Sequence, residues 1–264
     1  TSLNPIKATG RVSAVGLTAR GHSLETFAGN LTYNDPSVEL TNVTASELGA
    51  TLKAETLAFN RATGALNVTA DVTGLAFDRL RELGVPNTIG GNIRQAHITV
   101  KGTQKQPQID GNGTIENLSF RSETFPLAKL TLTTKWPTLN VTLSEIPNVS
   151  VDAKVDLSNP GYPFDAKAMF KDYSVERLAN FSKGTLRASG EANFKGQLTG
   201  QAPFSGTGTI QSIQASILEY AFRGAKPFPF EFDSQRLTLS EGATFNGEYS
   251  TLINLKGSIG LTNT

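Results

Sequence analysis

The chain has 264 residues, of which 38% are apolar and 18% are charged, and its formal net charge is +1. This near-neutral balance argues against the basic face that a nucleic-acid-binding protein needs, so we expect no nucleic-acid partner. The sequence contains no Cys, which excludes a disulfide framework, thiolate metal sites and a Cys nucleophile.

The sequence starts at Thr1 without the basic and apolar regions of a signal peptide. No stretch approaches the 18 consecutive apolar residues that a membrane-spanning helix needs. We therefore expect a fragment whose targeting sequence and membrane anchor lie outside it.

Alternation of apolar and polar side chains predicts strands. One such run contains Leu66, Val68, Ala70 and Val72 on one parity. This period of two is typical of strands with one apolar and one solvated face. The same pattern recurs later in the chain at Leu139, Val141 and Leu143; at Val149, Val151, Ala153, Val155 and Leu157; at Phe228, Phe230 and Phe232; and at Leu237 and Leu239. The prediction is an all-β fold.

Two short helices are predicted between the strands. The first covers Phe77 to Leu83 and ends at Gly84, and the second covers Tyr173 to Phe181 with Ser174 as its cap. Helices of about two turns are not stable alone, so both must pack against the sheet.

A glycine-containing block repeats along the chain. Residues 107–118 match residues 203–213, and residues 5–15 are a weaker third copy. In this register Val12, Ile115 and Ile210 correspond, as do Val15, Leu118 and Ile213. We therefore divide the chain into a partial unit 1–85, a unit 86–183 and a partial unit 184–264 that form one continuous β-rod, because stacked units continue one core.

At Lys101–Phe120, with its echo at Lys195–Ala215, the chain resembles the TamB branch of the AsmA-like superfamily. The resemblance lies in the order of features along the chain, which are a strand, a Gly, a loop, a Pro and a second strand with the motif Gly-x-Gly-x-aliphatic. It implies an elongated, curled antiparallel sheet, a β-taco, with an apolar groove. It also implies a scaffold anchored in the inner membrane that crosses the periplasm, carries phospholipid acyl chains to the outer membrane and assists outer-membrane assembly with a barrel partner.

On this hypothesis the apolar parity of the strands lines the groove, and no residue has a catalytic, cofactor-binding or metal-binding role. The predicted lining residues are Val12, Val15, Ile115, Leu118, Leu130, Leu132, Leu139, Val141, Leu143, Ile210 and Ile213.

The sequence offers little for catalysis. Its two histidines, His22 and His97, are too few for a zinc site without Cys, and no Gly-x-Ser-x-Gly elbow is present. The glycine pairs Gly111/Gly113 and Gly206/Gly208 lack the Lys-Ser/Thr of a phosphate loop. We interpret them as bends or bulges that curl the sheet.

Two other functions remain open. A structural β-solenoid or adhesin stalk would have a closed, dry interior, and a carbohydrate-binding β-sandwich would need clustered surface aromatics, for which Trp136 is the single Trp. In each case an excised sheet has free edge strands, which predicts self-association of the fragment.

Overall fold

Seventeen antiparallel strands form one sheet in the computed structural model, which describes residues 6–19, 22–47, 49–83, 89–120, 123–174, 184–198, 204–217, 220–233 and 235–260. The strands are β1 (Lys7–Ala19), β2 (His22–Asn34), β3 (Ser37–Glu47), β4 (Ala50–Asn60), β5 (Ala65–Ala76), β6 (Ile89–Thr103), β7 (Gln106–Phe120), β8 (Glu123–Lys135), β9 (Thr138–Ile146), β10 (Val149–Asp156), β11 (Pro163–Ser174), β12 (Gly184–Gln197), β13 (Ser205–Ile217), β14 (Tyr220–Gly224), β15 (Phe228–Asp233), β16 (Arg236–Gly247) and β17 (Leu252–Gly260). The all-β prediction is confirmed.

The strands form a meander in which each pairs with the next along the chain from β1 to β13. The two short strands β14 and β15 pair with opposite ends of β13. Both then pair with β16, which pairs with β17. They are two halves of one interrupted strand, so the seventeen strands occupy sixteen positions in the sheet.

A line of strand irregularities crosses the sheet. Inward apolar residues that are two apart along most of a strand become three apart here, as in Leu40 and Val43 of β3. Asn42, between them, has a φ of 52°. We call this feature the bulge line; it includes the positive-φ residues Asn42, Gly74, Asn117, Glu145 and Asp172. Extra residues of this kind bend a strand and increase its twist, so the sheet curves where they align.

The apolar face of the sheet is buried although no second layer covers it. Apart from a 3₁₀ helix at Phe77–Leu83, the extensive backbone approaches of the described strands involve only their neighbours in the sheet and one 3₁₀ turn. Even so, Ala128 is completely buried and Val43 is 1% exposed. An isolated flat sheet would leave such side chains in water, so the sheet must curl over its own apolar face.

The surface area of the chain agrees with an open, curled sheet. Its accessible surface is 16617 Å², whereas a compact globular protein of this mass exposes about 11,000 Å². A sealed two-layer sandwich would be close to the smaller value because both of its inner faces are removed from water.

The predicted helices have different outcomes. Phe77–Leu83 is helical as predicted, in 3₁₀ form, and Phe77 packs against the cluster around Ile115 and Leu118. The start of the second prediction is wrong, because Tyr173 and Ser174 end β11. The rest of that prediction lies outside the described residues. A second 3₁₀ turn occurs instead at Glu248–Ser250.

The two strong sequence repeats occupy equivalent hairpins. The first spans β6 and β7, and the second spans β12 and β13. The weaker third copy falls on β1. The division into units 1–85, 86–183 and 184–264 remains an interpretation, since the sheet runs through both boundaries.

A matched pair of substitutions tests the bulge line. A Cβ added to Gly74 (φ 70°) would lie 2.7 Å from the carbonyl oxygen of Gly49, whereas one added to Gly64 (φ 68°) would have its nearest neighbour at 3.9 Å. Both Ala substitutions incur the left-handed backbone cost of about 1–2 kcal/mol. Urea unfolding should show a further loss of about 1–3 kcal/mol for Gly74→Ala, because only that Cβ meets backbone. Equal losses would contradict close packing at this position.

Candidate functional site

The curled apolar face forms a trough that runs across the strands, and small side chains make its floor. Seven of the fifteen buried apolar residues among those described are alanines. They are Ala54, Ala70, Ala96, Ala128, Ala166, Ala188 and Ala243. Where the sheet curls most tightly, the inner surface offers the least room, so methyl groups fit where larger side chains would clash.

Larger apolar side chains make the walls of the trough. Leu132 of β8 lies opposite Val141 of β9, and Leu130 lies opposite Leu143. These four residues are half-buried. A buried floor between half-buried walls describes a trough whose mouth is open to solvent, in contrast to a core in which both would be buried.

Ten of the eleven predicted lining residues lie on this face. Ile115 and Leu118 are in a buried cluster against which Leu130 and Leu143 pack. Ile210 and Ile213 pack against a second cluster formed by Phe228, Ala243 and Phe245. The remaining four, Val12, Leu132, Leu139 and Val141, are half-buried and share the inner parity of their strands.

The placement of Val15 is wrong. The repeat predicted that Val12 and Val15 share a face as Ile115 and Leu118 do, but Val15 is 85% exposed. In β7 the irregular residue Asn117 lies between the two apolar residues, whereas in β1 the positive-φ residue is Gly16, after Val15. With regular register from Val12 to Val15, an odd spacing puts the two side chains on opposite faces.

Aromatic rings line the trough from β11 onwards, a feature that we did not predict beyond Phe228, Phe230 and Phe232. Ring centroids lie 6.0–6.5 Å apart through this region. The rings are Phe164, Phe194, Phe204, Phe230 and Phe232. The signal was present in the sequence, because most of the chain's 15 Phe residues follow position 160.

Most rings in this region face a glycine on a neighbouring strand, whereas Phe228 lies opposite Ile210. Phe230 of β15 is directly opposite Gly208 of β13, and its ring occupies the place where a Cβ would be. Further pairs are Phe164–Gly196, Phe170–Gly190, Phe194–Gly206, Phe232–Gly206 and Phe222–Gly247. The rings fill space that the glycines leave, and Phe230 and Phe245, which lie opposite Gly208 and Gly224, are buried.

This arrangement corrects the interpretation of the glycine pairs as bends or bulges. Gly111 and Gly113 keep regular register with Leu132 and Leu130, and Gly206 and Gly208 do so with the rings of β15. None of the four has a positive φ. Their missing side chains make room on the trough floor, and the bends occur elsewhere, at the bulge line.

One polar contact bridges two strands that are not neighbours. The β9–β10 hairpin is short, so the ends of β8 and β11 extend past it. These ends have no strand partner on the side of the hairpin. There the Tyr173 hydroxyl donates a hydrogen bond to Glu123 Oε2 at 3.0 Å, and its ring lies 6.2 Å from that of Phe125. Glu123 Oε1 is buried without a hydrogen-bond partner in the described structure. This contact closes the side of the trough beside the short β9–β10 hairpin.

Charged residues on the outer face pair across strands. The pairs are Arg94–Glu116, Lys129–Glu145, Lys167–Glu191 and Lys195–Asp165. The resolved pKa shifts also lie away from the trough, at turns: hydrogen bonds from the Ser158 hydroxyl and backbone lower the pKa of Asp156, and a hydrogen bond to Asp35 raises the pKa of Arg61. The outer face thus carries polar side chains and several cross-strand ion pairs.

Side chains that could ligate a metal ion do not cluster among the described residues. Within those ranges no three His, Cys, Asp or Glu side chains come together in a way that could hold a metal ion. The His97 ring lies 2.8 Å from the Asp71 carboxylate on the exposed outer face, and the His22 side chain lies outside what the structure describes. No helix in the described part of the chain is long and apolar enough to cross a membrane.

In comparisons with known proteins, no family model, curated protein or solved structure matches the chain. The functional argument therefore depends on the trough itself.

A substitution in the aromatic part of the trough tests the ring-over-glycine packing. Gly208→Ala places a methyl group against the Phe230 ring and 2.5 Å from the Glu191 carbonyl oxygen, so the free energy of unfolding should fall by about 1–3 kcal/mol. Gly10→Ala is the control, since nothing lies within 4 Å of its added Cβ, and it should be close to neutral. A stable Gly208→Ala protein with unchanged aromatic circular dichroism would contradict this packing.

Proposed function

We propose that the trough binds the acyl chains of phospholipids and that the chain is a non-enzymatic lipid-conducting segment. One observation carries the proposal: an apolar face continues across sixteen strand positions, with its floor buried and its walls half-exposed. A protein that used this face only as a core would cover its walls as completely as its floor.

The free energy of burying an acyl chain is compatible both with strong binding and with movement along the trough. Each CH₂ group that leaves water contributes about 0.8 kcal/mol, so two long acyl chains would be held strongly. Because the aliphatic walls of β1 to β10 are chemically uniform, a chain that slides along them exchanges one Leu or Val contact for another with little change in free energy. The headgroup can stay in water at the mouth.

The length of the trough is compatible with a bridge between two membranes. Sixteen positions at about 4.8 Å each give a path of roughly 75 Å along the trough. In this proposal the segment belongs to a periplasmic scaffold that is anchored in the inner membrane and works with an outer-membrane barrel protein. This setting rests on the resemblance to the TamB branch alone.

A charge in the wall should block acyl binding. Leu132→Asp and Val141→Asp each put a carboxylate on the inner face, where an acyl chain would have to desolvate it. Both side chains are half-buried at the open mouth, so the variants should still fold. Uptake of a fluorescent fatty-acid probe should fall by at least about tenfold, because the lost apolar contact and the unpaired charge together exceed about 1.4 kcal/mol.

Thr131→Asp is the matched control. Thr131 adjoins Leu132 in β8 but is exposed on the outer face, so the same charge there should leave uptake unchanged. If the unmodified protein takes up no probe and purifies without lipid, the lipid proposal is wrong. If all three Asp variants lose uptake equally, the probe does not bind in the trough.

A further inference from the structure

A carboxylate lies on the apolar face of the trough at Glu123. This residue is two positions before Phe125 in β8, so both side chains point to the same face of the sheet. That face is the inner one, because Phe125 pairs with the buried Leu118 and packs against the cluster around Ile115. The acids of the cross-strand ion pairs described above lie on the outer face instead.

The Glu123 carboxylate lacks a hydrogen-bond donor. The Tyr173 hydroxyl donates to Oε2, whereas Oε1 is buried and accepts no hydrogen bond. In the part of the chain that the structure describes, Oε1 is the one buried side-chain nitrogen or oxygen without a partner, and no basic side chain there pairs with Glu123. A buried carboxylate oxygen without a donor costs free energy, so its presence needs an explanation.

Aromatic rings beside the carboxylate indicate which donor fits. The ring centroids of Phe125 and Tyr173 lie 6.2 Å apart, with their planes tilted by 39°. The faces of such rings attract cations, and a carboxylate binds an ammonium group through short charge-assisted hydrogen bonds. A phosphate or a second carboxylate would be repelled by Glu123. The chemistry of this place therefore suits an ammonium group.

The gap in strand pairing beside the β9–β10 hairpin gives access to Glu123. The residues of β8 before Lys129 have no strand partner on the side of the hairpin. Rotation of the Tyr173 side chain breaks its hydrogen bond to Glu123 but leaves the backbone pairing of Tyr173 with Ala188 in place. A ligand can therefore reach Oε1 while the sheet stays intact.

We propose that Glu123 Oε1 accepts a hydrogen bond from the ammonium group of a phospholipid headgroup, so that the trough selects amine-bearing lipids. This inference rests on the proposed function. Elsewhere along the trough the headgroup stays in water, whereas here an ammonium group supplies the donor that Oε1 lacks and lies beside the rings of Phe125 and Tyr173. The site gives the trough a preference among headgroups that its uniform aliphatic walls do not supply.

Two fluorescent probes with the same saturated chain test the inference, one ending in an ammonium group and the other in a hydroxyl. The unmodified protein should bind the ammonium probe about tenfold more tightly. Glu123→Gln keeps the size of the side chain and an acceptor for the Tyr173 hydroxyl but removes the charge. It should weaken binding of the ammonium probe to the level of the hydroxyl probe and leave the hydroxyl probe unaffected. Fluorescence titrations would measure both dissociation constants.

Two controls separate this site from general effects of charge. Glu116→Gln removes an acid from the outer face of the adjoining strand β7 and should leave the preference unchanged. Ethanolamine, which has the ammonium group without an acyl chain, should not displace the ammonium probe.

The inference is overturned if the two probes bind equally, if Glu123→Gln keeps the preference, if Glu116→Gln also abolishes it, or if ethanolamine displaces the probe. Equal binding of both probes would leave the lipid proposal standing. Failure of the unmodified protein to bind either probe would overturn the proposed function as well.

Discussion

The central constraint on this protein is that one sheet must shield its own apolar face without a second layer. Every described strand contributes side chains to that face, and only one short 3₁₀ helix packs against it. Curling is the remaining way to remove those side chains from water. The bulge line bends the strands, and the alanine floor lets them bend tightly. A larger residue such as Leu at Ala128 would oppose the curl.

The two halves of the trough meet this constraint differently. From β2 to β10 the floor is Ala, Val and Ile, and Leu and Val make most of the walls. From β11 onwards Phe rings lie over glycines and fill the inner surface. A ring such as Phe230 needs a glycine opposite because both side chains would otherwise occupy the same space. The aliphatic half leaves its walls half-exposed, so it is the part best suited to an acyl chain, whereas the aromatic half is packed with the chain's own rings.

The outer face of the sheet is polar, in contrast to the apolar inner face. Thr, Asn, Ser and charged residues fill the outward positions, and cross-strand ion pairs such as Lys195–Asp165 connect neighbouring strands. Exposed pairs of this kind contribute little stability each. Their larger effect is on register, because a shift of one residue would reverse the two faces.

The sequence by itself determined the strand character, the identity of the apolar face and the helix at Phe77–Leu83, because each depends on local periodicity or on a terminating glycine. Ten of the eleven residues predicted from that periodicity or from the repeat lie on the apolar face. Only the tertiary structure decided where each strand bends, since a bulge forms to match its neighbours across the sheet. For this reason Val15 lies outside although its repeat partner Leu118 lies inside, Ser174 ends a strand, and Gly206 and Gly208 prove to be space for rings. Local pattern fixes which face of a strand is apolar, and pairing with the neighbouring strands fixes where that face turns.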